Sequence, residues 1–182
     1  MVTQPVVPSD VTEVGTQNML AFTALGDGTF EAFDVAGGRS VFRSPMRGAA
    51  LTAIDYSSRH NLVATGTADG LVRVWDTRKL DAPVLHFTRG TAGIENIAFV
   101  NTLSSATGGR QAGDVGLVVA TADGLPFVAA LSSEGPQVVA ELVGSDCDRV
   151  GVVCACGVDA NDPNGSAGNI WTAADDGLVR KY

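Results

Sequence analysis

Four stretches of the sequence share an Asp-Gly pair between two short apolar runs, and this recurrence constrains the fold more than any other feature. The pairs begin at Asp27, Asp69, Asp123 and Asp176, which are 42, 54 and 53 residues apart. Each of the two longer spacings contains a polar, glycine-rich insert, and leaving out about 11 residues from each restores the shorter period. A spacing of this length, repeated four times, indicates a repeat architecture.

Each copy predicts a β-hairpin, in which a two-residue turn joins two strands. Asp-Gly suits the turn because glycine adopts a positive φ without a Cβ clash. The second copy is the most complete and predicts four strands, labelled a to d in chain order, at about 50–57, 62–68, 71–77 and 83–88. The two inserts are then expected between strands a and b of the third and fourth copies, at 103–114 and 159–168.

A four-stranded unit of this period, with Trp-Asp near the end of strand c, resembles the WD40 repeat, a blade of a β-propeller. In that family a strand-b Thr or Ser, the turn Asp and a strand-c aromatic residue form a buried hydrogen-bonded set, completed by a His in the preceding loop. Three copies keep three of these parts: Thr23, Asp27 and Phe33; Thr65, Asp69 and Trp75; Thr172, Asp176 and Tyr182. The His is missing from all the loops, and the third copy has Val119 and Ala129 at the flanking positions.

The resemblance implies an all-β fold, a partial WD40-type β-propeller of about three and a half four-stranded antiparallel blades. The first copy lacks a recognisable strand a, and the last copy reaches Tyr182 within strand c. The expected organisation is a flexible N-terminal segment followed by four blades, at 1–12, 13–46, 47–89, 90–143 and 144–182.

Propellers usually close with four to eight blades, because closure removes exposed strand edges. We therefore interpret the chain as the C-terminal part of a larger propeller. The alternative is a four-bladed ring in which residues 2–8 join the last blade, although Pro5 and Pro8 would suit only an edge strand.

A more specific resemblance lies in the last third of the sequence. The segments AELVGSDCDRV and NIWTAADDGLVRKY, on either side of the second insert, resemble the closing part of the proteasomal ATPase-associated factor family. The similarity extends upstream through ATGTADGLVRVWDTRKLDAPVLHF and, more faintly, to EVGTQNMLAF. It covers most of this chain but only the C-terminal half of a family member. The resemblance implies a cytoplasmic or nuclear chaperone that binds the C-terminal domains of proteasomal ATPase subunits during regulatory-particle assembly.

The charge balance favours a protein partner. The chain has 12 Lys and Arg against 20 Asp and Glu, and nucleic acid would need a basic face instead. In a propeller the d–a loops and b–c turns share one rim, which here is mainly acidic and would attract a basic surface. We predict partner contacts at these rim residues: Asp146, Asp148, Asp175, Arg47 and Arg89. The four turn aspartates could equally be satisfied within their own blades.

Motifs that carry chemistry are few. Cys154 and Cys156 share one face of a predicted strand, and with Cys147 they fall short of four zinc ligands, so we interpret the pair as buried strand cysteines in a reducing compartment. The sequence contains no nucleophile elbow and no phosphate-binding Gly-Lys loop. We therefore predict no enzyme activity, cofactor, metal site or small-molecule substrate. No apolar run approaches the roughly 20 residues of a membrane span.

Two other classes of function stay open. A generic WD40 scaffold or adaptor, in a ubiquitin ligase or a signalling complex, would use the same kind of rim with a different partner. A propeller enzyme would require polar residues that converge at a central channel.

Overall fold

A computed structural model of the chain describes residues 4–6, 20–100, 115–132, 135–144, 149–155 and 170–182, with only the backbone of 4–6, 154 and 155. These residues form fifteen strands in four antiparallel sheets, and none of them lies in a helix. The expectation of an all-β fold is confirmed.

Each sheet is a meander whose strands are neighbours in chain order. Sheet 1 contains β1 (Gln4–Val6), β2 (Leu20–Ala24), β3 (Phe30–Asp34) and β4 (Arg39–Arg43). Sheet 2 contains β5 (Leu51–Ser57), β6 (Leu62–Thr67), β7 (Leu71–Asp76) and β8 (Leu85–Thr88). Sheet 3 contains β9 (Ile94–Val100), β10 (Val115–Thr121), β11 (Phe127–Ser132) and β12 (Gly135–Glu141). Sheet 4 contains β13 (Val150–Ala155), β14 (Ile170–Ala174) and β15 (Val179–Lys181).

The central hairpin of every sheet has the same register relative to its Asp-Gly pair. The residue four positions before the aspartate lies opposite the residue four positions after it, as in Thr65 opposite Arg73. The same pairing recurs in sheets 1, 3 and 4. The glycine of each pair has a positive φ, between 74° and 87°. The four predicted hairpins and their Asp-Gly turns are confirmed.

The N-terminal strand differs from the expectation. Strand β1 pairs with β2, with Gln4 opposite Phe22, and supplies the strand a that the sequence did not reveal. The alternative placed residues 2–8 in the last blade, whereas Gln4–Val6 belong to sheet 1. The segment predicted as flexible thus contains a strand. Pro5 lies on an edge strand, where proline is tolerated.

The remaining boundaries follow the sequence closely. Each strand of sheet 2 begins and ends within two residues of its predicted limits, and β8 begins just after Pro83. The first insert links β9 to β10, and the second links β13 to β14, as predicted for connections between strands a and b. The insert residues themselves, 103–114 and 159–168, lie outside the described part of the chain.

The chain divides into two compact units, Met1–Thr91 and Ala92–Tyr182. We call the side of a sheet that carries Thr65 or its equivalent the front face, and the opposite side the back face. In the first unit the back face of sheet 1 packs against the front face of sheet 2. The ring of Trp75 meets Phe30 edge-on at 5.2 Å, and Phe22 stacks on Tyr56 at 5.4 Å.

The second unit repeats this arrangement. Val118 and Val128, on the back face of sheet 3, share a buried cluster with Val150 and Val153 of sheet 4. Val153 lies opposite Thr172, which places it on the front face. In both units, therefore, the back face of one sheet is covered by the front face of the next.

The first Asp-Gly turn also contacts the connection that leads into sheet 2. The backbone N–H of Gly48 donates to the carbonyl of Asp27 at 3.3 Å, and that of Leu51 donates to Leu25 at 3.1 Å. A Cβ added at Gly28 would lie 2.5 Å from the nitrogen of Gly48. Glycine is required at this position both for its φ of 83° and for this close approach.

Gly28→Ala is expected to destabilise the chain more than Gly38→Ala does. Gly38 also has a positive φ, but no atom lies within 4 Å of an added Cβ, so its substitution costs only backbone strain of about 1–2 kcal/mol. At Gly28 the clash with backbone adds about 1–3 kcal/mol. Urea unfolding followed by circular dichroism measures both, and equal losses would contradict the close approach.

Candidate functional site

The b–c turns lie beside the loops that enter strand a, and together they form what we call the turn edge of each sheet. In sheets 2, 3 and 4 the residue just before the turn aspartate donates its backbone N–H to the residue just before strand a. The bonds run from Ala68 to Ala50, from Ala122 to Gly93 and from Asp175 to Arg149, at 2.9, 2.9 and 3.0 Å. The turn and the entering loop are therefore fixed to each other within each sheet.

The turn aspartates close their own turns. Asp27, Asp123 and Asp176 each accept a hydrogen bond from the backbone N–H two residues later, at 3.1, 3.2 and 2.8 Å. Asp69 accepts instead from the hydroxyl of Thr67. An Asx-type bond of this kind holds the chain reversal in one conformation. All four side chains thus have a local structural role.

Two of these aspartates also pair with arginines. An Nη of Arg43 lies 2.5 Å from Asp27, and its other Nη lies 3.2 Å from Glu31. Asp176 pairs with Arg180. The hydroxyl of Thr29, with a smaller contribution from Arg43, lowers the pKa of Asp27. The hydrogen bond from Arg180 lowers the pKa of Asp176.

The remaining acidic side chains of the turn edge are open to solvent. Asp69, Asp123 and Asp175 are exposed, and within the described ranges none of them forms an ion pair. Only the backbone of Asp175 is engaged in the turn, so its carboxylate is free to face a partner. Among the described residues, these three carry the negative charge of the turn edge that no arginine or lysine neutralises.

The other residues predicted for the rim differ in position. Arg47 is exposed on the connection into sheet 2, and Arg89 is half-buried at the end of β8. Asp146 and Asp148 lie outside the described residues. The predicted partner site therefore stays a prediction, and Asp175 and Arg47 are its exposed members in the structure.

In sheet 2 the expected hydrogen-bonded set of Thr65, Asp69 and Trp75 forms two separate groups. The indole N–H of Trp75 donates to the hydroxyl of Thr65 at 3.3 Å, and both side chains are buried. Thr65 has the carbonyl of Arg73 as its own acceptor, at 3.5 Å. Asp69 does not join this pair, since its carboxylate bonds Thr67 at the turn.

The other copies lack the Thr–aromatic bond. Phe33 has no donor, and Tyr182 donates its hydroxyl to the carbonyl of Val143 at 3.2 Å. The hydroxyl of Thr172 is consequently buried without a hydrogen-bond partner. In the third copy Val119 and Ala129 are fully buried and pack without polar groups.

Sequence reasoning missed Thr67 and Arg43. Thr67 stands two residues before its aspartate, a spacing that allows a local side-chain bond and could have been noticed. Arg43 is 16 residues from Asp27 and reaches it from the outer strand β4, so no local signal reveals the pair.

The two histidines of the chain lie on different elements of sheet 2. His60 shares a hydrogen bond of 3.0 Å with Ser57 in the β5–β6 connection, and burial, with help from Arg59, lowers the pKa of His60. His86 is exposed on β8. Among the described residues no three His, Cys, Asp or Glu side chains are placed to hold a metal ion. Cys147 and Cys156 lie outside those residues, and only the backbone of Cys154 is described.

No helix in the described ranges is long and apolar enough to span a membrane.

Thr65→Val is expected to lower the free energy of unfolding by about 1–3 kcal/mol, because the buried indole N–H of Trp75 loses its acceptor. Thr172→Val, the same change in sheet 4, is expected to stay within about 0.5 kcal/mol of the wild type or to stabilise, since that hydroxyl has no partner to lose. Chemical unfolding measures both variants. Equal losses would show that the Thr65–Trp75 bond contributes nothing.

Asp76→Asn tests an ion pair at the opposite edge of sheet 2. Arg78 binds the Asp76 carboxylate through its backbone N–H at 2.9 Å and its guanidinium at 2.6 Å, and lowers the pKa of Asp76 to about 2. Because the folded-state pKa lies below the ordinary 3.8, this stabilisation is complete above about pH 4 and is lost as the pH falls through about 2. The stability difference between wild type and variant should therefore shrink between these pH values.

The control for this pH series is Asp81→Asn, at an exposed position in the same connection. Its stability difference from the wild type should change less over the same pH range. A constant difference for Asp76→Asn down to pH 2 would contradict the assignment of the low pKa to the Arg78 pair.

No protein-family model matches the chain, and no curated protein matches it. The candidate site therefore consists of four hairpins of one register, turns fixed to the loops beside them, and exposed carboxylates at the turn edge.

Proposed function

We propose that this chain is a non-catalytic protein-binding module made of WD40-type propeller blades. Two structural features support the blade assignment. All four hairpins have the same register around an Asp-Gly turn, and within each unit the back face of one sheet packs against the front face of the next. Face-to-face stacking of four-stranded meanders is how propeller blades pack.

The observation that carries the function is the turn edge with its exposed, unpaired carboxylates. Asp69, Asp123 and Asp175 project from turns that are already held by hydrogen bonds. A preformed surface loses little conformational entropy when it binds. Negative charge on such a surface accelerates association with a basic partner and selects against acidic ones.

The identity of the partner is inferred from the resemblance of the last third of the sequence to the proteasomal ATPase-associated factor family. On this proposal the chain binds the C-terminal domains of proteasomal ATPase subunits during assembly of the regulatory particle, and it acts by steric occupancy. The turn edge covers a surface of the ATPase domain until a later assembly step displaces it. On this proposal no covalent bond is made or broken.

The test is titration of the purified chain with individual proteasomal ATPase C-terminal domains at low and at physiological salt. Saturable binding of one or two domains is expected. Asp175→Lys should weaken it about twofold to fivefold, the range expected for surface charge pairs. The effect should be larger at low salt, where screening is least. Asp146→Lys and Asp148→Lys extend the same test to the predicted rim.

Asp81→Lys is the matched control, because it makes the same charge reversal at the opposite edge of sheet 2. Binding that responds equally to Asp81→Lys and Asp175→Lys would show a general charge effect and contradict the turn-edge site. Failure of every domain to bind a folded chain would overturn the chaperone proposal. Recovery of ubiquitin-ligase or signalling proteins from cells would then favour the scaffold alternative.

A further inference from the structure

The back face of sheet 4 is exposed, whereas the equivalent faces of the other three sheets are buried. Trp171 is 39% exposed. The residues at the same register position in sheets 1, 2 and 3 are Phe22, Ala64 and Val118, and each is at most 4% exposed. A large aromatic side chain therefore faces solvent at a position that the repeat otherwise uses for core.

Two further positions of this face show the same contrast. Val179 is 67% exposed, and its equivalents Phe30 and Val72 are at most 1% exposed. Val152 is exposed, whereas its equivalent Ala53 is buried. Contiguous exposed apolar surface of this kind marks a site of interaction. We call Val152, Trp171 and Val179 the exposed back face.

The structure shows twice what covers a back face. Sheet 1 is covered by the front face of sheet 2, where Trp75 packs on Phe30. Sheet 3 is covered by the front face of sheet 4, through Val150 and Val153. By the same packing rule, the exposed back face suits the front face of another sheet of this repeat.

Sheet 1 has the matching front face. Phe33 is 36% exposed there, whereas its equivalent in sheet 2, Trp75, is 2% exposed. Lys181 lies beside Trp171 on the back face, and the front face carries Glu31 paired with Arg43 at 3.2 Å. The described part of the chain thus carries an open back face on sheet 4 and an open front face on sheet 1.

We infer that the exposed back face of sheet 4 binds the front face of sheet 1 of a second copy of this chain. The contact joins two different surfaces, so it is heterologous. Two copies close into a ring when both contacts form, and copies add end to end when the rotation does not close. This association is independent of the ATPase partner proposed above.

The experiment is light scattering coupled to gel filtration of the full chain over a range of concentrations. The wild type is expected to form dimers or larger assemblies. Val179→Glu on the back face and Phe33→Glu on the front face should each raise the dissociation constant at least about tenfold, because each buries a charge in an apolar contact. Val152→Glu is a second back-face variant, and circular dichroism confirms that each variant is folded.

Mixing the two variants distinguishes a heterologous contact from a symmetric one. The Val179→Glu chain keeps an intact front face, and the Phe33→Glu chain keeps an intact back face, so an equimolar mixture should form dimers again. Val138→Glu is a matched control at an exposed valine of the outer strand β12. It should associate as the wild type does.

Three results would overturn the inference. The first is a wild type that stays monomeric at every concentration. This result overturns the inference whether or not a soluble quencher reaches the Trp171 ring in the monomer. The second is an assembly that Val179→Glu disrupts and Phe33→Glu does not, which would indicate two back faces in a symmetric contact. The third is a variant mixture that remains monomeric.

Discussion

The Asp-Gly turn is the constraint on which the rest of this structure depends. A glycine with positive φ reverses the chain in two residues, and the aspartate closes the reversal with its own carboxylate. This fixes which residues of the two strands lie opposite each other. Because a slip of one residue would exchange the two faces of a strand, fixing the turn also decides which side chains enter the core.

Face-to-face packing follows from this register. The central strands of each sheet carry apolar residues on both sides, so a single sheet cannot bury them and must stack on another. Phe30 and Trp75 meet in one unit, and Val118 meets the valines of β13 in the other. Each fully buried side chain of this size contributes about 1.5–3 kcal/mol. The same logic makes an uncovered face, such as that of Trp171, available to another sheet.

The aspartates of the turn edge have two different environments. Asp27 and Asp176 are committed to their turns and to Arg43 and Arg180. Asp175 is held only by its backbone, and its carboxylate remains in water. The neighbouring residues Asp175 and Asp176 therefore differ in role. Asp176 stabilises the chain reversal, and Asp175 faces the solvent from the same ordered turn.

The sequence by itself determined the features that depend on neighbours along the chain: the four hairpins, their turns, the strands of sheet 2 and the place of both inserts. It could not reveal β1, since three residues that include Pro5 carry no period. The sequence pattern also placed Thr65, Asp69 and Trp75 in one hydrogen-bonded set. In the structure the carboxylate of Asp69 bonds Thr67, and the hydroxyl of Thr65 accepts from the indole of Trp75.

The tertiary structure alone decided the Arg43–Asp27 pair and the exposure of Trp171 on the back face of sheet 4. Both depend on which strands and sheets come together across long stretches of sequence. Local propensity sets the turns and the alternation of side chains, but the partner of each face is chosen only when the sheets pack.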